Sequence, residues 1–210
     1  MTGEHAELAE LGTATVYEAA GRTGLVDVPL IQVVPGSRAA GPARTVRCGQ
    51  GDNLMVHAVL ARTEPGDVLV VCMPEPEPVA LVGDLLATQA KARGAAAILV
   101  DGAVRDVEDL ARLGLPIWAR YVRVRGADKD AAGALDKPVS VGGARIRAGD
   151  VVVLDADGAV VIERERTSEV LGAARARAER ERAKRAQLEG GALSYDLDGL
   201  RERVEGQARP

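Results

Sequence analysis

The chain has 210 residues, 31 acidic against 27 basic side chains and a formal charge of −4, a length that suits one domain with a sizeable core, or one domain plus an extension. Hydrophobic residues make up 47% and charged residues 28%, which excludes a mainly disordered chain. No run approaches the roughly 18 to 20 apolar residues of a membrane span, and Met1 to Glu10 is acidic where a secretion signal is basic and then apolar, so a cytoplasmic protein without membrane contact is expected.

In chain order, residues 14–20 read as a short helix stopped by Gly21 and Gly24. The β-branched runs 30–34 and 43–46 read as strands, bounded by turns at Pro35-Gly36 and Gly41-Pro42. Asp52 caps a helix over 53–62, apolar at Leu54, Met55, Ala58 and Val59, and Pro65-Gly66-Asp67 turns into a strand over 68–72. After the loop Pro74 to Pro78 come a helix at 84–93, a strand at 96–100, a helix at 107–113 and a short strand at 116–119, the alternation of an α/β protein. Strands at 139–141, 145–146, 151–154 and 160–162, parted by Gly142-Gly143, Gly149-Asp150 and Asp157-Gly158, give that end an antiparallel character. From Thr167 to about Leu188 runs one long helix, about 33 Å from end to end. Residues 163–185 hold eight basic and five acidic side chains, a local charge of +3 that leaves −7 for the rest. These opposite signs favour subunit association, although most charges on such a helix simply face water. The chain is expected to form one α/β domain over 1–166 and a helical extension over 167–210.

Cys48 and Cys72 have no second sulfur and no His close by, so they read as buried apolar residues rather than as a zinc site or a disulfide framework. Phe is absent and the aromatics are Trp118, Tyr17, Tyr121 and Tyr195, which removes the stacking platforms of single-strand binders, and nucleic acid is not an expected ligand. The informative segments are Val82-Gly83-Asp84-Leu85-Leu86-Ala87 and Asp101-Gly102-Ala103-Val104-Arg105-Asp106. A helix opening just after Gly83 leaves the amides of Leu85 and Leu86 without intrahelical acceptors, a cradle for a carboxylate or phosphate. On the plainer alternative, Asp84 is an N-cap and Gly83 a turn residue. Asp106, directly after a buried strand, suits a hard cation such as Mg²⁺, and the Arg105 fork suits an enolate oxygen or a carboxylate. Otherwise Asp106 caps the next helix and Arg105 makes a surface ion pair. His57 reads as an ordinary packed or capped residue, and Arg120, Arg123 and Arg125 as a solvated strand edge rather than an anion patch.

The arrangement Asp84-x20-Arg105-Asp106, with Gly51-Asp52-Asn53-Leu54-Met55, Gly149-Asp150-Val151 and Asp157-Gly158-Ala159, resembles the HMG/CHA aldolases, divalent-metal pyruvate aldolases in the same superfamily as the regulator of ribonuclease activity A. The resemblance covers nearly the whole chain. It implies an α-β-β-α sandwich resembling the phosphohistidine swivelling domain, with a long C-terminal helix, assembled as a homotrimer or homohexamer with sites between subunits. It further implies cleavage of 4-hydroxy-4-methyl-2-oxoglutarate or 4-carboxy-4-hydroxy-2-oxoadipate to pyruvate, with oxaloacetate decarboxylation alongside, because both reactions pass through the pyruvate enolate. Carried over residue by residue, Asp106 would ligate Mg²⁺ (or Mn²⁺), Asp84 would hold water beside it, Arg105 would stabilise the enolate, and the amides of Leu85 and Leu86, after Gly83, would grip the pyruvyl carboxylate. A glutamate from a neighbouring subunit's long helix would complete the site, with Glu181 the best match and Glu179 next. Trp118, Tyr121 and Val124 stand where that family has Phe, Gly and Pro, which leaves substrate choice open. The other reading is a non-enzymatic protein binding RNase E, and it is disfavoured because Asp84, Arg105 and Asp106 are all present.

Overall fold

A computed structural model of the chain describes residues 3–206, and the chain divides into two compact units between Ala174 and Arg175. The first unit holds α1 (Gly3–Leu11), α2 (Thr13–Ala19), β1 (Ile31–Gln32), β2 (Ala39–Arg47), α3 (Leu54–Leu60), β3 (Val68–Cys72), β4 (Ala80–Val82), α4 (Asp84–Ala92) and β5 (Ala97–Val104). It continues with α5 (Val107–Leu113), β6 (Ile117–Val122), β7 (Ala134–Leu135), β8 (Val139–Val141), β9 (Ala144–Ile146), β10 (Val151–Asp155) and β11 (Gly158–Ile162). Helix α6 (Thr167–Glu189) begins in this unit and runs on into the second, which also holds α7 (Ser194–Leu197) and α8 (Leu200–Glu205).

The main sheet runs β1-β6-β5-β3-β2-β10-β11, with β4 added beside β5 and β7 beside β2. Strands β2, β3, β5 and β6 are parallel, whereas β1, β10 and β11 pair antiparallel. Strand β2 joins the two halves: Ala39 to Pro42 face β10, and Ala43 to Arg47 face β3. Gly41-Pro42 therefore lies inside a strand and is not the turn that its composition suggests. Pro42 is tolerated where the pairing partner changes, and Gly41 is required because a Cβ there would come within 2.2 Å of the Gly66 carbonyl oxygen.

Alternation along the strands builds the layers, because successive side chains leave a strand on opposite faces. In β3, Leu69 and Val71 join the cluster under α3, α4 and α5 (Val56, Leu60, Ala87, Leu110), while Val68 and Val70 join a second cluster against Val152 and Leu154 of β10 and Ile146 of β9. In β5 and β6, Ile98, Val100 and Ile117 go to the first, and Leu99 and Trp118 to the second. The outer face of β10 and β11 (Val151, Val153, Val160, Ile162) packs on Leu8, Val16, Val170 and Leu171. Helices, sheet, sheet and helices thus form four layers, the expected sandwich. Trp118 is buried with its indole N–H donating to the Asp155 carbonyl at 2.8 Å.

Cys48 and Cys72 are both buried; burial pushes the Cys48 thiol up to about 12 and the Cys72 thiol up to about 11. Among the described residues no helix is long and apolar enough to cross a membrane.

Candidate active site

The site forms where β4 and β5 end. Strand β5 runs on to Val104, four residues beyond the apolar run 96–100, so Arg105 leaves the sheet directly and its amide donates to the Val82 carbonyl at 3.1 Å. That bond sets residues 82–84 beside 105–106, and the two motifs meet.

Gly83 occupies the N-cap position of α4, which makes Asp84 its first helical residue and leaves the Asp84 carboxylate free of a capping role. The first intrahelical bond runs from the Ala87 amide to the Gly83 carbonyl at 3.1 Å, so the amides of Leu85 and Leu86 have no intrahelical acceptor. The Asp84 amide donates to Asp106 Oδ2 at 3.3 Å. Gly83 is needed for space rather than for its dihedrals, with φ −133°: a Cβ there would sit 2.6 Å from Asp106 Oδ2 and 3.3 Å from Arg105 Cγ.

Asp106 stands at the N-cap of α5 but makes no side-chain cap bond. Its backbone is left-handed, φ 59° and ψ 39°, a region that Asp enters more readily than most residues. This turns the carboxylate back toward Asp84 and Arg105, whose Nε lies 3.5 Å from Oδ2. Strained backbone of this kind gathers at functional sites. Arg105 is half exposed and passes Gly126, where a Cβ would lie 3.0 Å from its Nη1.

A cleft of about 270 Å³ opens over these groups, lined by Gly83, Asp84, Leu85, Leu86 and Arg105 and also by Asn53, His57, Gln89, Gly126 and Lys129. An adjoining hollow of about 510 Å³ shares Arg105 and adds Asp106, Val122, Arg123 and Val124. His57, read from the sequence as packed, is exposed on the cleft wall. Asn53 is buried with its side-chain amide donating to the Leu81 carbonyl at 2.9 Å, while its Oδ1 has no partner. Arg120 is not on a solvated edge, since it pairs with Asp101, a carboxylate that is 4% exposed.

Donor chemistry decides which cation suits the site. The two carboxylates, Asp84 and Asp106, offer hard oxygens, and among the described residues these are committed only to the long Asp84 amide bond and the Arg105 contact, both at Asp106 Oδ2. Among the described residues no group of three or more His, Cys, Asp or Glu converges, which argues against a closed structural zinc site. One or two carboxylates with room for water is what Mg²⁺ selects, and the residues fit that ion.

Glu181 lies on α6 in the second unit, with Arg177 Nε 2.8 Å from its Oε1, and Glu179 pairs with Arg182. The first unit thus brings together Gly83, Asp84, Leu85, Leu86, Arg105 and Asp106. Asn53, Gly126 and Lys129 were not legible as cleft residues, because contact between segments this far apart leaves no periodic signal.

Kinship follows from the same region. The family model for RraA-like proteins, described as Aldolase/RraA, matches residues 13–161. The chain belongs to the RraA-like family. A relative from Halalkalibacterium halodurans, named "Putative 4-hydroxy-4-methyl-2-oxoglutarate aldolase", is 39% identical over 134 residues, 64% of each chain, so the match spans just under two thirds of that curated relative. Among RraA-like and other solved structures, an uncharacterized protein from Pseudomonas syringae pv. tomato superposes with a TM-score of 0.83 at 26% identity, covering 92% of this chain and 91% of that one. Streptomyces coelicolor RraAS2, described as an unusual member of the RNase ES inhibitor RraA protein family, superposes with a TM-score of 0.79 at 29% identity, covering 89% and 98%.

Proposed function

We propose that this RraA-like protein is a Mg²⁺-dependent (or Mn²⁺-dependent) pyruvate aldolase acting on 4-hydroxy-4-methyl-2-oxoglutarate or 4-carboxy-4-hydroxy-2-oxoadipate, with oxaloacetate decarboxylase activity. The observation that carries this is that Asp84 and Arg105 line one cleft and Arg105 and Asp106 the hollow beside it, with Asp106 Oδ2 touching both the Asp84 amide and Arg105 Nε. The name of the H. halodurans relative supports it.

Asp106 would hold the cation directly and Asp84 through water. When bound, the ion supplies Lewis-acid polarisation of the substrate's 2-oxo group. The amides of Leu85 and Leu86 hold the pyruvyl carboxylate at the positive end of α4. As the C3–C4 bond breaks, its electron pair passes to the C2–C3 unit, and the Arg105 guanidinium faces the oxygen that gains charge. A water on the Asp84 carboxylate takes the C4 hydroxyl proton and returns one to C3, releasing pyruvate. Oxaloacetate reaches the same enolate by losing CO₂ from C4. Glu181 of a neighbouring copy, with Glu179 as the substitute, would complete the site in a cytoplasmic homotrimer or homohexamer.

The other reading, binding to an RNase E-type nuclease, draws on the family description of RraAS2; the intact Asp84, Arg105 and Asp106 favour the enzyme. The deciding experiment is pyruvate release from oxaloacetate and from 4-hydroxy-4-methyl-2-oxoglutarate, each with Mg²⁺ and with EDTA. Metal-dependent turnover of both is expected; a folded protein that turns over neither would sink the aldolase reading and move weight to the binding one.

A further inference from the structure

The segment after β6 is stitched across the site at both ends. The Arg123 amide donates to the Val104 carbonyl at 3.0 Å, and the Ala80 amide to the Arg125 carbonyl at 2.7 Å. The Asp128 amide donates to the Gly51 carbonyl at 3.0 Å, and the Asn53 amide to the Asp128 carbonyl at 2.9 Å. The amides of Asp130 and Ala131 then both donate to Asp52 Oδ2, at 2.6 and 2.9 Å, while Asp52 Oδ1 accepts the Leu54 amide at 2.8 Å. Asp52 is 2% exposed. Burial pushes its carboxyl up, but the amides of Ala131, Leu54 and Asp130 and the Lys129 charge outweigh burial and hold it below its ordinary value.

This anchored strap presents Gly126, Ala127 and Lys129 on the cleft wall. Gly126 leaves the space that Arg105 fills. Lys129 brings a cation that pairs with no carboxylate among the described residues, since the nearby Asp52 has its oxygens taken by backbone amides. The cleft therefore contains, beside Arg105, a second positive charge that makes no close ion pair among the described residues, carried on an anchored backbone.

Resting on the aldolase reading, we propose that Lys129 is a specificity-determining residue that binds the second carboxylate of the substrate, the one beyond the pyruvyl unit. In a retro-aldol cleavage that carboxylate keeps its charge throughout, so a cation on it serves both ground and transition states and acts mainly through KM. In oxaloacetate the far carboxylate must shed its charge as CO₂, so a cation there gives no help to bond cleavage. Lysine, a flexible point charge, also accepts carboxylates at differing distances from the pyruvyl end.

The test compares Lys129→Met and Lys129→Arg with the unmodified protein, by steady-state kinetics on both substrates with Mg²⁺. Lys129→Met is expected to lower the ratio of aldol to decarboxylation kcat/KM by roughly 10- to 100-fold, the loss of one charge-assisted hydrogen bond, with the change in KM, and Lys129→Arg to restore most of it. Inhibition of decarboxylation by 2-oxoglutarate, which carries a distal carboxylate, should weaken in Lys129→Met, while inhibition by pyruvate stays. An unaltered ratio, or equal loss on 2-oxoglutarate and pyruvate inhibition, overturns the proposal. An unmodified protein without metal-dependent turnover removes the aldolase reading itself, and is seen before any variant is made.

Discussion

In the first unit Val70, Leu99, Trp118 and Val152 are buried to 1% exposure or less, whereas in the second Leu188, Leu193, Leu197, Leu200 and Val204 are all at least 36% exposed. The first unit is held by three apolar clusters, each fully buried aliphatic side chain contributing about 1.5–3 kcal/mol. In the second, the visible ties are ion pairs, Arg177 with Glu181, Lys184 with Asp198, and Arg201 with Asp196 and Glu205. Exposed pairs of this kind are worth about 0–1 kcal/mol each, so the second unit is helical through the local propensity of its Ala, Arg and Glu. Rigidity and the cleft therefore belong to the first unit, and the second supplies charge on a helix without an interior of its own.

The largest test of that division is Arg105→Ala, expected to lower pyruvate release about 10²- to 10³-fold, as removal of a preorganised donor does elsewhere. Its thermal midpoint should stay within a few degrees, because the side chain is half exposed and in no cluster. Asp106→Ala should act alike, and Glu181→Ala less. Gly83→Ala is the sharper probe: the backbone is ordinary, so any effect comes from the Cβ pressing on Asp106. A displacement near 1 Å costs up to about 100-fold, and circular dichroism melting should show the fold intact. Equal activity in Gly83→Ala would mean that Asp106 has freedom the packing does not suggest.

Asp52→Asn is expected to cost about 1–3 kcal/mol in urea unfolding at neutral pH, because an amide N–H₂ replaces the oxygen that accepts two strap amides. Since the Asp52 carboxyl is held below its ordinary value, its stabilisation is complete above that ordinary value, about pH 4, and fades as pH falls through the lowered one. Unmodified protein should thus lose stability on acidification more steeply than Asp52→Asn.

Much of this was legible beforehand because period-2 and period-3.6 signals are local. The runs 68–72 and 107–113 match β3 and α5 at both ends, and the apolar β10 and β11 read correctly through their Gly turns. Misreadings fell where tertiary pairing overrides local signs. Pro42 sits in a strand because β2 changes partners there. Strand β4, three residues long, exists through its pairing with β5, and 101–104 extend β5 although Asp101 and Gly102 break the apolar run. In the site, Asp84, Arg105 and Asp106 were visible through their spacing, whereas Lys129 reaches the cleft on the strap, and Asn53 and His57 reach it from the N-cap and body of α3.

The smallest expected effect completes the contrast. The last residues that the first unit buries are Val170, Leu171 and Ala174, so its interior is closed before Arg175. Ending the chain after Ala174 should move the thermal midpoint by no more than about 4 °C, the shift that about 1 kcal/mol produces at this size. The same truncation removes Glu181, so pyruvate release should fall by at least as much as in Glu181→Ala. A midpoint lowered by several times that amount would show the helical arm to be part of what holds the core. A preserved midpoint with lost activity would assign the arm to the chemistry, its charges serving a site whose framework it does not stabilise.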